Sequence, residues 1–228
     1  MAAPSFKASS SAGWTSSTNS ITVSPPASLA EGDLIFVVLS GNATLSTVRP
    51  FTPPSGFFEF VQFSDRTFGA AFWKRATASE PASYTFETDG TNAYMRASLM
   101  LFSGTDETMP IGDIATQETA ISTSADCLGP SCDGDQMAIR VVVSENDHVF
   151  TTPATVTEVL STSNATSTDT SLYVGYDNST YSKGDTVPTA TITSSTAVAH
   201  HTLTVMIYGA DQSRMSAAVP VIQSQANY

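Results

Sequence analysis

The chain has 228 residues, with nine basic against 21 acidic side chains and a formal charge of −12; 41% of it is hydrophobic and only 13% charged. That balance excludes recognition of nucleic-acid phosphates, which takes clusters of Lys and Arg, and attraction to anionic membrane surfaces. It leaves enough apolar residues to bury a sizeable core. No stretch approaches the roughly 18 apolar residues that span a bilayer. The opening MAAPSFKASSSAGW has no apolar core of signal-peptide length, so the expectation is synthesis in a cytosol without a visible export signal.

In chain order, residues 1–20 are Ser, Ala, Thr and Gly with single anchors at Phe6 and Trp14, which reads as an N-terminal arm. Ile21 and Val23 begin a short strand that Pro25-Pro26 ends, since proline cannot donate to a ladder. Leu34 to Leu39 is apolar at every position between Gly32-Asp33 and Gly41-Asn42, the mark of a strand covered on both faces. Residues 57–63 follow a Pro/Gly loop and put Phe57, Val61 and Phe63 on one face, Phe58 and Phe60 on the other. Asp65-Arg66 reads as a turn, and further strands are expected at 68–76, 83–88 and 94–102.

From Thr105 to Asp135 the chain reads as loop, with one short strand around Ile114 to Ile121. Strands then resume at 137–143, 155–161, 171–176, 189–193 and 201–209. Arg140 interrupts the first of these, which predicts one wet side. Gly32-Asp33 aligns with Gly134-Asp135 at an offset of 102, Pro53 with Pro153 at 100, and Gly104 with Gly209 at 105. Offsets this constant point to a degenerate duplication. The reading is an all-β, antiparallel sandwich or jelly roll: an arm (1–20), one interleaved domain (21–211) of half-repeats at about 21–113 and 120–211, and a tail (212–228) carrying Val219, Val221, Ile222 and Tyr228.

Chemistry is harder to find. No nucleophile elbow, HExxH, P-loop or Rossmann glycine pattern occurs. His148 stands alone, and His200-His201 point to opposite faces of a strand. Asp126, Asp133 and Asp135 crowd one loop, where Asx-turns outweigh a hard-cation site. Cys127 and Cys132 share one CLGPSC segment, where free thiols are favoured over a small disulfide ring in a reducing cytosol. Tyr173 and Tyr176 fall on opposite faces, which argues against a sugar-stacking platform. The expectation is a protein without enzymatic activity, metal or cofactor.

Gly32-Asp33, Pro54-Ser55-Gly56-Phe57, Lys74 with Glu80-Pro81, Ser103-Gly104-Thr105-Asp106 and Pro110-Ile111 together resemble a β-sandwich family of tailed-phage virion proteins. Phe57 stands where that family carries Trp, and Thr105 is a second departure. The resemblance covers residues 22–113 well and the second half loosely. It implies a virion component on the outer capsid surface: a decoration (cement) protein bound to the major capsid protein and to copies of itself as dimers or trimers. A head-fibre or tail module binding surface glycan is the alternative. Under the first reading the contacts fall on the arm and tail, at Phe6, Trp14, Val219, Val221, Ile222 and Tyr228.

Overall fold

The computed structural model describes residues 3–13, 18–43, 50–64, 67–89, 93–146, 148–162 and 170–210. Among them fourteen strands occur and no helix: β1 (Ser5–Gly13), β2 (Ser20–Val23), β3 (Leu34–Ala43), β4 (Phe51–Thr52), β5 (Phe58–Ser64), β6 (Thr67–Arg75), β7 (Tyr84–Thr88), β8 (Ala93–Ser103), β9 (Ile111–Cys127), β10 (Gln136–Glu145), β11 (Phe150–Thr151), β12 (Val156–Thr162), β13 (Thr170–Tyr181) and β14 (Ala190–Tyr208). All pairings between them are antiparallel. The all-β sandwich follows from alternating and fully apolar runs punctuated by turn residues, as the sequence indicates.

The duplication is visible in the ladders. The first half forms a five-stranded sheet, β1-β8-β3-β6-β5, and a three-stranded sheet, β2-β7-β4. In the second half the same order recurs as β9-β14-β10-β13-β12, with β11 beside β14. There β9 does the work of β1 and β2 together, and β14 that of β7 and β8. The ladder between these long strands breaks register between Thr193 and Val198 on β14, as β7 ends at Thr88 and β8 begins at Ala93. Other irregularities coincide too: β5 bulges between Glu59 and Val61, and β12 between Glu158 and Leu160.

Register corrects two of the sequence offsets. Phe36 pairs Trp73 and Val38 pairs Ala71; Ile139 pairs Tyr176 and Val141 pairs Val174. The offset on this strand is therefore 103 rather than the 102 of the Gly-Asp landmarks, because one extra residue separates Asp135 from the strand. A slip of one would turn the core face outward. Likewise Phe57 N–H donates to Pro54 O and Val156 N–H to Pro153 O, so Pro54, not Pro53, matches Pro153.

Among the described residues the strands of the two halves do not interleave: each named ladder closes within its own half, and a bridge between Thr105 and Gly209 ties the halves where the chain crosses. Ile35, Val37 and Leu39 face the three-stranded sheet in one core. Leu34, Phe36 and Val38, on the other side of the same strand, meet Met137, Ile139, Val141, Leu203 and Val205 of the second half. The strand is thus buried on both faces, as expected. β13 crosses β3 and β10 crosses β6. Since β10 is the counterpart of β3 and β13 of β6, each contact is the other seen after exchanging halves. The sandwiches meet back to back through these two crossings.

Three local expectations need correcting. Residues 5–13, read as an arm, are edge strand β1, paired to β8 from Ser5↔Ser103 to Gly13↔Arg96. The stretch 105–135 is mostly the seventeen-residue β9, whose Thr, Ser and Ala alternation carries too little apolar contrast to announce an edge strand. Finally, the β5 bulge moves Val61 onto the seam core beside Phe60, away from Phe57. Asp65-Arg66 lies outside the described residues.

Candidate functional site

The deepest charge is Arg140, fully buried rather than on a wet face. Its Nε and Nη2 grip Asp177 in a two-pronged pair at 2.8 and 2.6 Å, and Nη2 also donates to Pro188 O at 2.9 Å. Nη1 donates to Cys127 O at 3.0 Å and Thr204 Oγ1 at 3.1 Å. All five guanidinium hydrogens are thereby used. Burial alone would lower the pKa, but the hydrogen bonds and charge of Asp177 outweigh it and raise it. Tyr181 Oη donates to the same carboxylate at 2.6 Å. This is a pin holding β10, β13, β14 and the 127–128 and 188 segments together, with no hydrogen left for a substrate.

His200 is held as a neutral donor. It is fully buried, with Nε2 2.9 Å from Ser122 O. A carbonyl only accepts, so Nε2 carries the proton and Nδ1 is bare, buried and without a partner. Ser194 Oγ lies 3.4 Å from Nε2, the protonated nitrogen, so His200 is not its base. Burial lowers the His200 pKa, and His148 and His201 lower it further against the Ser122 bond. His148 places Nε2 on Glu145 O, and its Nδ1 has no partner.

Cys127 and Cys132 are both free and buried, in separate cores, so the CLGPSC ring is not closed. Burial pushes the Cys127 thiol up to about 12. Burial is also the main cause raising that of Cys132. Asp126 accepts from Thr191 at 2.6 Å, Asp135 from Ser182 at 3.2 Å, and Asp133 from Gln136 at 3.0 Å and from Tyr208. Among the described residues no three His, Cys, Asp or Glu side chains gather as a metal cluster. Tyr173 and Tyr176 do belong to different cores.

The motif residues of the first half are architectural. Gly56, at φ 89°, closes the Pro54–Phe57 turn in a conformation that disfavours side chains. Asp33 accepts from Ala30 N–H at 2.8 Å and from Lys7 Nζ at 2.6 Å. Glu80 accepts from Lys74 at 2.6 Å, Tyr84 at 2.8 Å and Thr77 N–H at 2.7 Å. Burial pushes its carboxyl up, but those bonds together hold it at about 2. Arg75 ties the Gly32 carbonyl, 2.9 Å away, to the Thr105 hydroxyl at 2.6 Å.

Of the expected contact residues, only Phe6 lies within the described structure; Trp14, Val219, Val221, Ile222 and Tyr228 lie outside it. Phe6 is half-buried at the seam, stacked on Tyr176 of the other half with centroids 4.9 Å apart. It joins the two halves rather than reaching outward.

The sequence reading missed a different aromatic. Phe58, on edge strand β5, is 58% exposed and lies on Trp73 at 4.8 Å and 27°. Trp73 and Phe60 are half-buried at the rim of the seam core. Phe58 pairs Trp73 as Thr157 pairs Tyr176, each one pair ahead of the same bulge. Thr157 is exposed as well. An exposed position that the second sandwich fills with Thr does not need a phenyl ring for folding. Aligning the halves at the bulge is the sequence signal that finds it.

No family model, curated protein or solved structure matches the chain.

Proposed function

We propose that the chain is a non-enzymatic structural component of a tailed-phage virion, a decoration protein that binds the outer surface of the major capsid lattice and stabilises it. The observation that carries the reading is the closed double sandwich. The five-stranded sheet of the first half and the six-stranded sheet of the second are spent on each other, and the buried Arg140–Asp177 pair is saturated within the chain. What is left outside is an acidic, Ser- and Thr-rich surface with an apolar edge. The virion resemblance of the Gly32-Asp33, Pro54–Phe57, Lys74/Glu80-Pro81 and 103–106 motifs points the same way. Such a block works mechanically. Each copy bound to the assembled shell, and not to free subunits, stabilises the shell by mass action. Dimeric or trimeric copies at lattice junctions add avidity.

The test is co-sedimentation of the full chain with phage capsids stripped of it. Saturable binding at a fixed ratio to shell subunits is expected; absence of binding overturns the reading. A chain ending at residue 210 tests the tail separately, whereas deleting residues 1–20 would remove edge strand β1 and is not a clean trim. The alternative, a fibre or tail module binding glycan, draws on the same exposed ring; selective, saturable signal on a glycan array without capsid binding would establish it instead.

A further inference from the structure

We infer that the Phe58–Trp73 pair is the attachment point of this chain, inserting the exposed ring into an apolar socket on the shell protein whose rim is basic. The inference rests on the decoration reading and adds which edge of the block meets the shell.

Three observations converge. Phe58 is the exposed member of a stacked aromatic pair, and its partner and Phe60 belong to the seam core, so the patch continues an interface already present in the fold. Ring burial of this kind concentrates binding energy. Next, the internal duplicate removes the usual structural explanation. Thr157 occupies the matching place beside Tyr176 and the matching bulge, so the fold tolerates a small polar residue there. Lastly, charge selects the occupant. Lys74 and Arg75, which follow Trp73 on β6, already face Glu80, and Gly32, Thr105 and Asp106. Glu59, exposed on the opposite face of the same edge strand, is held by Gln62, and the chain carries −12 overall. A second copy would bring the same negative charge to the contact. A protein surface with Lys or Arg around an apolar hollow is the complementary partner.

The test uses the full chain and stripped capsids. Phe58→Thr, which installs the counterpart's residue, is expected to weaken capsid binding by at least tenfold while leaving the melting temperature within about 2 °C. Thr157→Phe, the reverse change on the other half, is expected to bind like the parent. In a Trp14→Phe background, Trp73 emission should shift to the blue on capsid addition, because its exposed neighbour becomes covered. Equal capsid binding by parent and Phe58→Thr overturns the inference while the decoration reading stands. No capsid binding by the parent overturns both. Loss of self-association or of glycan-array signal in Phe58→Thr, with capsid binding unchanged, also overturns it and reassigns the edge to a second copy or a sugar.

Discussion

Replacing Arg140 with Met probes the second sandwich at its least forgiving point. The side chain is fully buried, and Asp177, 4% exposed, depends on it for two of its hydrogen bonds. Met fills much of the volume but leaves a buried carboxylate without its cation, which costs about 3–5 kcal/mol. For a chain of this length each kcal/mol lowers the melting temperature by roughly 2–4 °C, so a fall of about 6–20 °C is expected. A double variant, Arg140→Met with Asp177→Leu, removes the orphaned charge. It should recover part of the loss, remaining about 1–3 kcal/mol below the parent because the Cys127 and Pro188 carbonyls and the Tyr181 hydroxyl lose partners. Urea unfolding of the four proteins of the cycle gives the coupling, and hydrogen exchange should localise the loss to β10, β13 and β14. A single variant within 1 kcal/mol of the parent, or a double variant no better than the single, refutes the reasoning.

Other consequences follow from the same chemistry. His200 has its folded pKa below the unfolded value of 6.5, so the neutral form it stabilises contributes fully above that pH. Stability should fall as pH drops below 6.5, and His200→Gln should flatten the slope seen in pH-dependent melts; an unchanged slope contradicts this. Glu80 behaves as a depressed carboxylate: its contribution is present above 4.5 and lost as pH falls through about 2, so Glu80→Gln should hurt at pH 7 and make little difference near pH 2. Both thiols should resist a thiol reagent in the native protein at pH 8 and react fully in denaturant; rapid native labelling would contradict their burial. A Cβ at Gly129 would overlap the Val187 carbonyl, so Gly129→Ala should cost more than about 2 kcal/mol in urea unfolding, and a neutral result would contradict that close approach.

What the sequence discloses and what it hides divide along physical lines. Leu34–Leu39 is legible because a strand buried on both faces must be apolar throughout. The duplication is legible from punctuation, but its register is not, since one inserted residue after Asp135 leaves composition unchanged while reversing every face. β9 escapes notice because an edge strand of Thr, Ser and Ala looks like a loop. Arg140 reads as a wet-face residue because its counter-charge stands 37 positions away, on a strand whose proximity only the fold supplies. The same long-range logic explains the core exchange between halves. Ala70 and Phe72 become Tyr173 and Gly175, the large side chain moving two places and Gly175 leaving room for it. As for the surface site, Phe58 looks like core in its run of phenylalanines until the bulge and its Thr157 counterpart are known.

Cryo-electron microscopy of stripped capsids saturated with the chain tests the central claim most directly. Density is expected on the outer lattice, shaped as two back-to-back sandwiches, with the β5 edge turned to the shell. Shells that stay bare at saturating protein would contradict it.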